Sequence, residues 1–403
     1  MTTLTFETLS FQKKADQLQV TLLDLFTAEI PLSEMPEFIL INPNAIETNE
    51  KKFSLLLAKY LNNLTNKLTK NPAAYIHQNS GIPLIGNVAF GITYRNTSLI
   101  EIKTVTSCNL NCLYCSIGEG LSSKKHDFVV EKDYLLQELQ KLLDFINEPV
   151  EIHIGVQGEP FLYADTVNLI EDLQNMNQVH TISINTNATL LTKQIINRLA
   201  KCSKLRYNFS LDALDEKIAK QLAGVDNYNL DHVLKVIRYA AEKSQVLIAP
   251  VCVFGYNDQE MENIINFTKS LPKKVPLGIQ NFLNYKTGRN PVKAKSWEEF
   301  FVWIKQLEDK HKISLKVTKE DFNIKDTKPL PKPFQVDDII SATIKCSDRF
   351  PNSVIAVAKE RCISVPDCQF RKDKKIKIKI TRDKHNIFAG RLVGQYRKGK
   401  GGD

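Results

Sequence analysis

The sequence predicts an α/β protein: a partial (β/α)6 barrel, preceded by a helical N-terminal region and followed by a small all-β barrel. Three observations carry this. From residue 99 to about residue 320, strand-like runs alternate six times with amphipathic helical runs. After Pro329, Pro331 and Pro333 the chain changes to short strands only. Before residue 75, apolar residues recur at helical spacing.

The N-terminal reading, residues 1–81, rests on Phe53, Leu57, Tyr60, Leu61, Leu64 and Leu68, which follow an i, i+3/i+4, i+7 pattern. Nothing in this stretch suggests chemistry. Residues 82–325 begin with a β-hairpin, IPLIGNVAFGITY and LIEIKTVT around a polar RNTS turn, and continue into the barrel. Strands are expected near 99–106, 150–157, 181–187, 205–212, 245–254 and 275–283. Helices are expected near 130–147, 163–175, 192–201, 229–243, 258–270 and 296–312. Such β-then-α order gives a parallel sheet with helices outside.

The strands are not apolar on both faces, as a fully buried parallel sheet would be. Ser183 and Asn185 share one face, as do Arg206, Asn208 and Ser210, and Glu151 and His153; Ile, Leu, Tyr and Phe hold the other. A curled sheet with a polar lumen fits that alternation; a half-solvated antiparallel sheet does not fit the interleaved helices.

Residues 326–335 read as a stiff proline-rich linker marking an independent boundary. Residues 336–395 carry five short strands in about sixty residues, the pattern of a small OB-like barrel. A basic tail, 396–403, follows.

The 403 residues are 43% hydrophobic, enough for a packed core. No apolar run approaches the roughly 18–20 residues that span a bilayer, and the start lacks an apolar signal region, so a cytoplasmic protein without membrane attachment is expected. Eight cysteines are too sparse for a disulfide scaffold. The net charge of +9 is localised: residues 371–403 hold twelve Lys/Arg against three Asp, so they account for all of it. That points to a surface for a polyanion.

The sharpest motif is Cys108-Asn-Leu-Asn-Cys112-Leu-Tyr-Cys115, directly after the first barrel strand. Three thiolates this close suit a four-iron, four-sulfur cluster with one iron left open. The alternative, tetrahedral zinc, wants a fourth ligand, and the nearest is His126. The motif, CxxxCxxC, resembles that of the radical SAM superfamily. Further matches come in that family's order: Tyr114 before the last cysteine, Gly158-Glu159-Pro160 ending the second strand, Asn185 and Asn187 ending the third, Ser210 and Asp212 the fourth, and Gln280 on the sixth.

The resemblance implies that Cys108, Cys112 and Cys115 hold the cluster. It implies that Tyr114, Gly158, Glu159, Pro160, Asn185, Asn187, Ser210, Asp212 and Gln280 contact S-adenosylmethionine. One electron, delivered by a donor such as ferredoxin or flavodoxin, would cleave the sulfonium to a 5′-deoxyadenosyl radical. No cysteine precedes Cys108, which argues against the second cluster of methylthiotransferases. Cys346, Cys362 and Cys368 are too widely spaced for the clustered cysteines of SPASM-type extensions, and Cys202 reads as core. Cys252, on the fifth strand, is a candidate catalytic thiol.

Residues 336–395 resemble a TRAM domain, an OB-type module accompanying RNA-modifying enzymes. The whole order of segments resembles a group of archaeal radical SAM–TRAM proteins. In KKIKIKIT, Lys375, Lys377 and Lys379 share one face while the isoleucines pack inward, which suits phosphate contacts. Lys286 and Arg289, after the sixth strand, are candidate grips on a substrate phosphate or carboxylate. The reading is a radical SAM enzyme that modifies tRNA or rRNA. The alternatives are a radical SAM enzyme acting on a protein or peptide, and a zinc-stabilised nucleic-acid-binding protein without catalysis.

Overall fold

The structure is a computed structural model describing residues 1–393; the basic tail expected at 396–403 lies outside the described residues. The N-terminal region is mainly β, not helical. It holds β1 (Thr2–Thr5), β2 (Leu9–Lys14), β3 (Gln17–Leu22), β4 (Phe26–Pro31), β5 (Phe38–Asn42) and β6 (Ala45–Thr48). Then come α1 (Glu50–Tyr60), β7 (Leu64–Asn66) and β8 (Pro72–Ile76). The physical reason is a period of two: Leu18, Val20 and Leu22 are buried while Gln17, Gln19 and Thr21 alternate with them. The helical spacing holds only from Phe53 to Tyr60, where α1 buries Phe53 and Leu57.

The barrel follows: β9 (Gly91–Tyr94), β10 (Leu99–Lys103), β11 (Asp127–Val130), α2 (Lys132–Ile146), β12 (Val150–Ile154), α3 (Thr166–Gln174), β13 (Val179–Thr186), α4 (Lys193–Leu199) and β14 (Leu205–Phe209). It continues through α5 (Glu216–Ala223), α6 (Leu230–Lys243), β15 (Gln245–Ile248), β16 (Val251–Cys252), α7 (Glu260–Lys269), β17 (Gln280–Asn281) and α8 (Trp297–His311). β10, β12, β13, β14 and β15 pair in parallel in that order. A parallel bridge from Ile248 to Leu277 and the β16–β17 pair add the sixth strand position. β9 closes the other edge as the antiparallel arm of the hairpin. The partial (β/α)6 barrel is therefore as the alternation predicts. β11 leaves it and adds in parallel to β8 of the N-terminal sheet.

Five strands make a closed C-terminal barrel in the order β18-β19-β20-β22-β21. They are β18 (Ile339–Ser347), β19 (Ser353–Ala358), β20 (Arg361–Pro366), β21 (Lys375–Arg382) and β22 (Phe388–Leu392). Its inner face buries Ile344, Val354, Ile363, Val365, Ile378 and Ile380. Its outer face is not free: Cys346, Ile355 and Cys362 belong to the core of the (β/α)6 barrel. The Cys362 S–H donates to the Pro83 carbonyl at 3.0 Å. At Gly86, φ is +123° and any Cβ would overlap the Cys362 backbone.

The proline-rich stretch is strapped down as well. The Ser98 N–H donates to the Lys325 carbonyl at 2.8 Å, Asp326 bridges to Thr97, and the hydroxyls of Tyr94 and Thr327 meet at 2.7 Å. The linker is thus a strap along the hairpin, and the boundary is not independent. No helix among the described residues is long and apolar enough to cross a membrane.

This shared core sets an expectation for truncation. Removing residues 336–403 exposes the apolar side of the hairpin and leaves the ion pairs described below unmatched. The truncated chain should aggregate, or melt well below the full chain in a thermal scan. Equal melting temperatures would show that the C-terminal barrel is a separable module.

Candidate active site

Cys108, Cys112 and Cys115 lie in the long loop between β10 and β11. The loop is held from several sides. The Asn111 and Leu113 N–H groups donate to the Ala223 and Leu222 carbonyls at the end of α5, each at 2.9 Å. The sequence reading missed α5, although Asp215 as N-cap and Gly224 as C-cap bracket it. From above, Arg289 donates through Nη1 to the Cys112 carbonyl at 2.8 Å and through Nη2 to Asn111 Oδ1 at 2.7 Å. Arg289 N–H reaches the Cys115 carbonyl at 2.9 Å. Arg289 is therefore committed to the cysteine loop and is not a free grip on substrate. Lys286 is exposed beside it and does not line the cavity.

The three cysteines line one cavity of about 300 Å³. Tyr114, Gly158, Glu159, Asn185, Asn187, Ser210, Asp212 and Gln280 line the same cavity, all near the C-terminal ends of the barrel strands. The residues singled out from sequence for the cluster and for S-adenosylmethionine are brought together, except Pro160, which is buried at the start of the short helical turn behind; Cys252 is not among them. Cys252 is fully buried in the core and lines neither this cavity nor the lumen, and burial pushes its thiol pKa well up. It is core, not a catalytic thiol. His126 is also absent from the cavity and packs edge-on against Phe128.

The supporting contacts are specific. Gly158 has φ +62°, and a Cβ there would overlap the Ser107 carbonyl, so only glycine lets strand β12 turn this close to the cysteine loop. The Glu159 carboxylate accepts from Thr186 Oγ1 at 2.8 Å, Asn187 N–H at 2.8 Å and Phe161 N–H at 3.1 Å. It ties the end of β13 to the turn after β12. Burial nonetheless pushes its pKa up to about 7. Asn187 donates to Asn109 Oδ1 at 3.0 Å, joining β13 to the cysteine loop. Asp212 accepts from the Tyr114 hydroxyl and from Val251 N–H at 2.8 Å, which fixes the tyrosine ring against the cavity. Burial pushes the Asp212 pKa up to about 6.

Beneath this cavity the lumen opens into a second space of about 760 Å³, sharing Val156, Asn185, Gln280, Asn281, Leu283 and Tyr285 with the first. The strand side of its wall is polar, as the alternation predicts, while Trp297, Phe300, Phe301 and Ile304 of α8 and Phe322 make the facing side apolar. Arg206 pairs with Glu151 at 2.8 Å, and His153 Nδ1 meets Ser183 Oγ at 2.8 Å. Burial pulls the His153 pKa down to about 4, so the imidazole is neutral at neutral pH.

The donor set fits an iron–sulfur cluster. Burial raises the thiol pKa of Cys108 to about 12 and holds that of Cys112 well above its ordinary value, and the neighbouring thiols and carboxylates add to both shifts. Thiols that resist ionisation beside Glu159 and Asp212 become ligands when cationic metal supplies the missing positive charge. Cys115 Sγ accepts from the Glu119 N–H at 3.3 Å, a backbone-to-sulfur contact of the kind that stabilises cluster sulfur. Among the described residues no three His, Cys, Asp or Glu side chains converge on a single ion position.

The raised Asp212 pKa has a stability consequence. Below pH 3.8 the folded and unfolded chains both carry the proton. Between 3.8 and about 6 the folded state keeps it and the unfolded state loses it, so stability falls as pH rises through this window and is level above it. In the iron-free protein, the wild type should lose on the order of 2 kcal/mol relative to Asp212→Asn between pH 4 and pH 7. Urea unfolding of both proteins across the series checks this, and parallel pH profiles would contradict it.

The family model described as the radical SAM superfamily matches residues 102–268. Over 401 aligned residues the chain is 34% identical to an uncharacterized protein of Methanocaldococcus jannaschii, covering 91% of this chain and 92% of that one. It is 32% identical over 172 residues to the GTP 3′,8-cyclase of Listeria monocytogenes, covering 42% of this chain and 50% of the cyclase, so it matches about half of that enzyme's length. Among solved structures, SuiB of Streptococcus suis bound to S-adenosylmethionine aligns with a TM-score of 0.45 at 16% identity, over 76% of this chain and 69% of that one. Members of the matched family use a four-iron, four-sulfur cluster and S-adenosylmethionine. The cysteine triad and most of the cavity it lines fall within the matched segment: residues 102–268 of this chain form a radical SAM superfamily domain.

Proposed function

We propose that this protein is a radical SAM enzyme that modifies RNA, a tRNA or an rRNA, held against the C-terminal barrel. In this reading the barrel is TRAM-like and the protein works in the cytoplasm with an electron donor such as ferredoxin or flavodoxin. When bound, the cluster supplies the electron that cleaves S-adenosylmethionine to a 5′-deoxyadenosyl radical. The chain's own residues do the rest. Cys108, Cys112 and Cys115 are the cluster ligands. Tyr114, the turn at Gly158–Pro160, Asn185, Asn187, Ser210, Asp212 and Gln280 shape the nucleotide site. The lumen below, with Glu151, Arg206 and neutral His153 on its strand side and an apolar side facing them, receives the group to be modified and keeps bulk water from it.

The observation that carries the RNA reading is where the charge sits. All nine excess positive charges fall in residues 371–403. Along β21, Lys375 and Lys377 project outward while Ile378 and Ile380 are buried inside. Lys379 lies on the outward side too, paired with Asp337 at 2.7 Å. A lysine row can also protect a strand edge, but β21 has partners on both sides, β18 and β22. A lumen of about 760 Å³ accommodates a single nucleotide turned out of an RNA strand.

Two tests follow. In the full-length protein, tRNA affinity should fall steeply from 50 to 200 mM salt. Charge reversal at Lys375, Lys377 and Lys379 should flatten the log–log slope by roughly one unit per lost phosphate contact. Binding that ignores salt, or a charge-reversed protein that binds like the wild type, removes the RNA reading and favours a protein or peptide substrate. Separately, Cys112→Ala should abolish both iron incorporation and 5′-deoxyadenosine formation after anaerobic reconstitution, whereas Cys252→Ser should retain both. Full iron in the Cys112 variant would remove the assigned ligand set.

A further inference from the structure

Arg349 belongs to the C-terminal barrel, in the turn after β18, yet its side chain is 6% exposed because it reaches into the (β/α)6 barrel. There it meets four groups. Its guanidinium pairs with Glu119 and lies 3.3 Å from Asp127 Oδ1. It donates to Thr106 Oγ1 at 3.0 Å and to the His126 carbonyl. All of these belong to one stretch of chain, the two ends of the cysteine loop. Thr106 lies two residues before Cys108, and Glu119 lies four residues after Cys115.

Glu119 is the connecting group. It is 5% exposed, it lines the cavity with the three thiols, and its own N–H donates to Cys115 Sγ at 3.3 Å. Its carboxylate is held between Arg349 and Lys125, the latter at 3.6 Å. The position of a backbone donor aimed at a ligand sulfur therefore depends on where Arg349 holds this side chain. Arg349 also pairs with both Glu119, which it shares with Lys125, and Asp127, two buried carboxylates beside the cluster site.

We infer that Arg349 is a positioning residue through which the C-terminal barrel sets the retention and reduction potential of the iron–sulfur cluster. The inference rests on the cluster assignment and is independent of what substrate the barrel binds. Hydrogen bonds to the sulfurs and nearby net charge are established determinants of cluster potential. Reduction adds negative charge to the cluster. Losing a positive neighbour, leaving Asp127 without a cation and Glu119 with Lys125 alone, and displacing an N–H dipole all disfavour that added charge. The midpoint must therefore move to more negative values.

The test uses the full chain, reconstituted anaerobically, as wild type, Arg349→Met, Arg349→Lys and Cys362→Ala. The last loosens the same interface at the Pro83 contact without touching Glu119. Measured are the midpoint potential in a mediated titration, the electron paramagnetic resonance spectrum of the reduced cluster, and the rate of iron loss to a chelator. Arg349→Met should show a more negative midpoint, an altered spectrum and iron loss faster by about 10-fold or more. Arg349→Lys should show smaller shifts of the same sign, because it restores the charge but not the span. Cys362→Ala should keep the wild-type midpoint and spectrum. If Arg349→Met does not accumulate as folded protein, the Arg349→Lys shift decides. A wild-type midpoint and spectrum in the Arg349 variants, or the same shift in Cys362→Ala, overturns the inference. Failure to incorporate iron even in the wild type would instead strike at the cluster assignment beneath it.

Discussion

Asp127 is 3% exposed, and a carboxylate so placed must be matched by donors or be expelled. Its partners come from all three parts of the chain. Asn66 of the N-terminal sheet donates to Asp127 Oδ2 at 2.7 Å and to Ser107 Oγ at 2.7 Å. Thr106, at the mouth of the cysteine loop, donates to Asp127 Oδ1 at 2.7 Å. Arg349 arrives from the C-terminal barrel. Within a few ångströms of the first cysteine, one buried polar node joins the N-terminal sheet, the (β/α)6 barrel and the C-terminal barrel. Its members take their partners from one another, which gives such a network its cooperativity.

That node explains why the cysteine loop is ordered despite its length. A segment of over twenty residues between β10 and β11 would ordinarily be mobile. Here its two ends are fastened at Thr106 and Asp127, its middle is hydrogen-bonded to the end of α5, and Arg289 covers it. The loop also splits the sheets: β10 stays in the barrel and β11 passes to the N-terminal sheet. Cysteines so held approach the rigidity of side chains on secondary structure, which redox and radical chemistry would require of them.

Much of this was legible in the sequence, and the division follows the range of the interactions. The barrel strands, the polar lumen, the cysteine triad and the C-terminal barrel were read from local period and spacing, and the pattern around Ser183, Arg206 and Glu151 gave the lumen its correct wall. The N-terminal sheet was equally local in its signal. Leu18, Val20 and Leu22 alternate with polar residues, but the helical spacing around Phe53 drew the reading the other way. Arg289 was recognised as important for the wrong reason, since a cation in a loop at the mouth looks the same whether it grips a substrate or the adjacent loop. Arg349 carried no signal at all. It is one arginine in a turn, and its partners lie 222 and 243 residues away.

That separation bears on the order of events during synthesis. A chain emerging at about 5–20 residues per second places roughly 10–50 s between Thr106 and Arg349. During that interval the three cysteines are outside the ribosome while Asp127 lacks its arginine and Glu119 has only Lys125. The C-terminal barrel closes only when β22 pairs with β20 and β21. The cysteine loop therefore reaches its final form only after the C-terminal barrel has been made and has closed. A nascent chain that bound iron early would hold it in an unfinished, more negative and more exposed setting. In this architecture, maturation of the metal centre belongs after release of the finished chain.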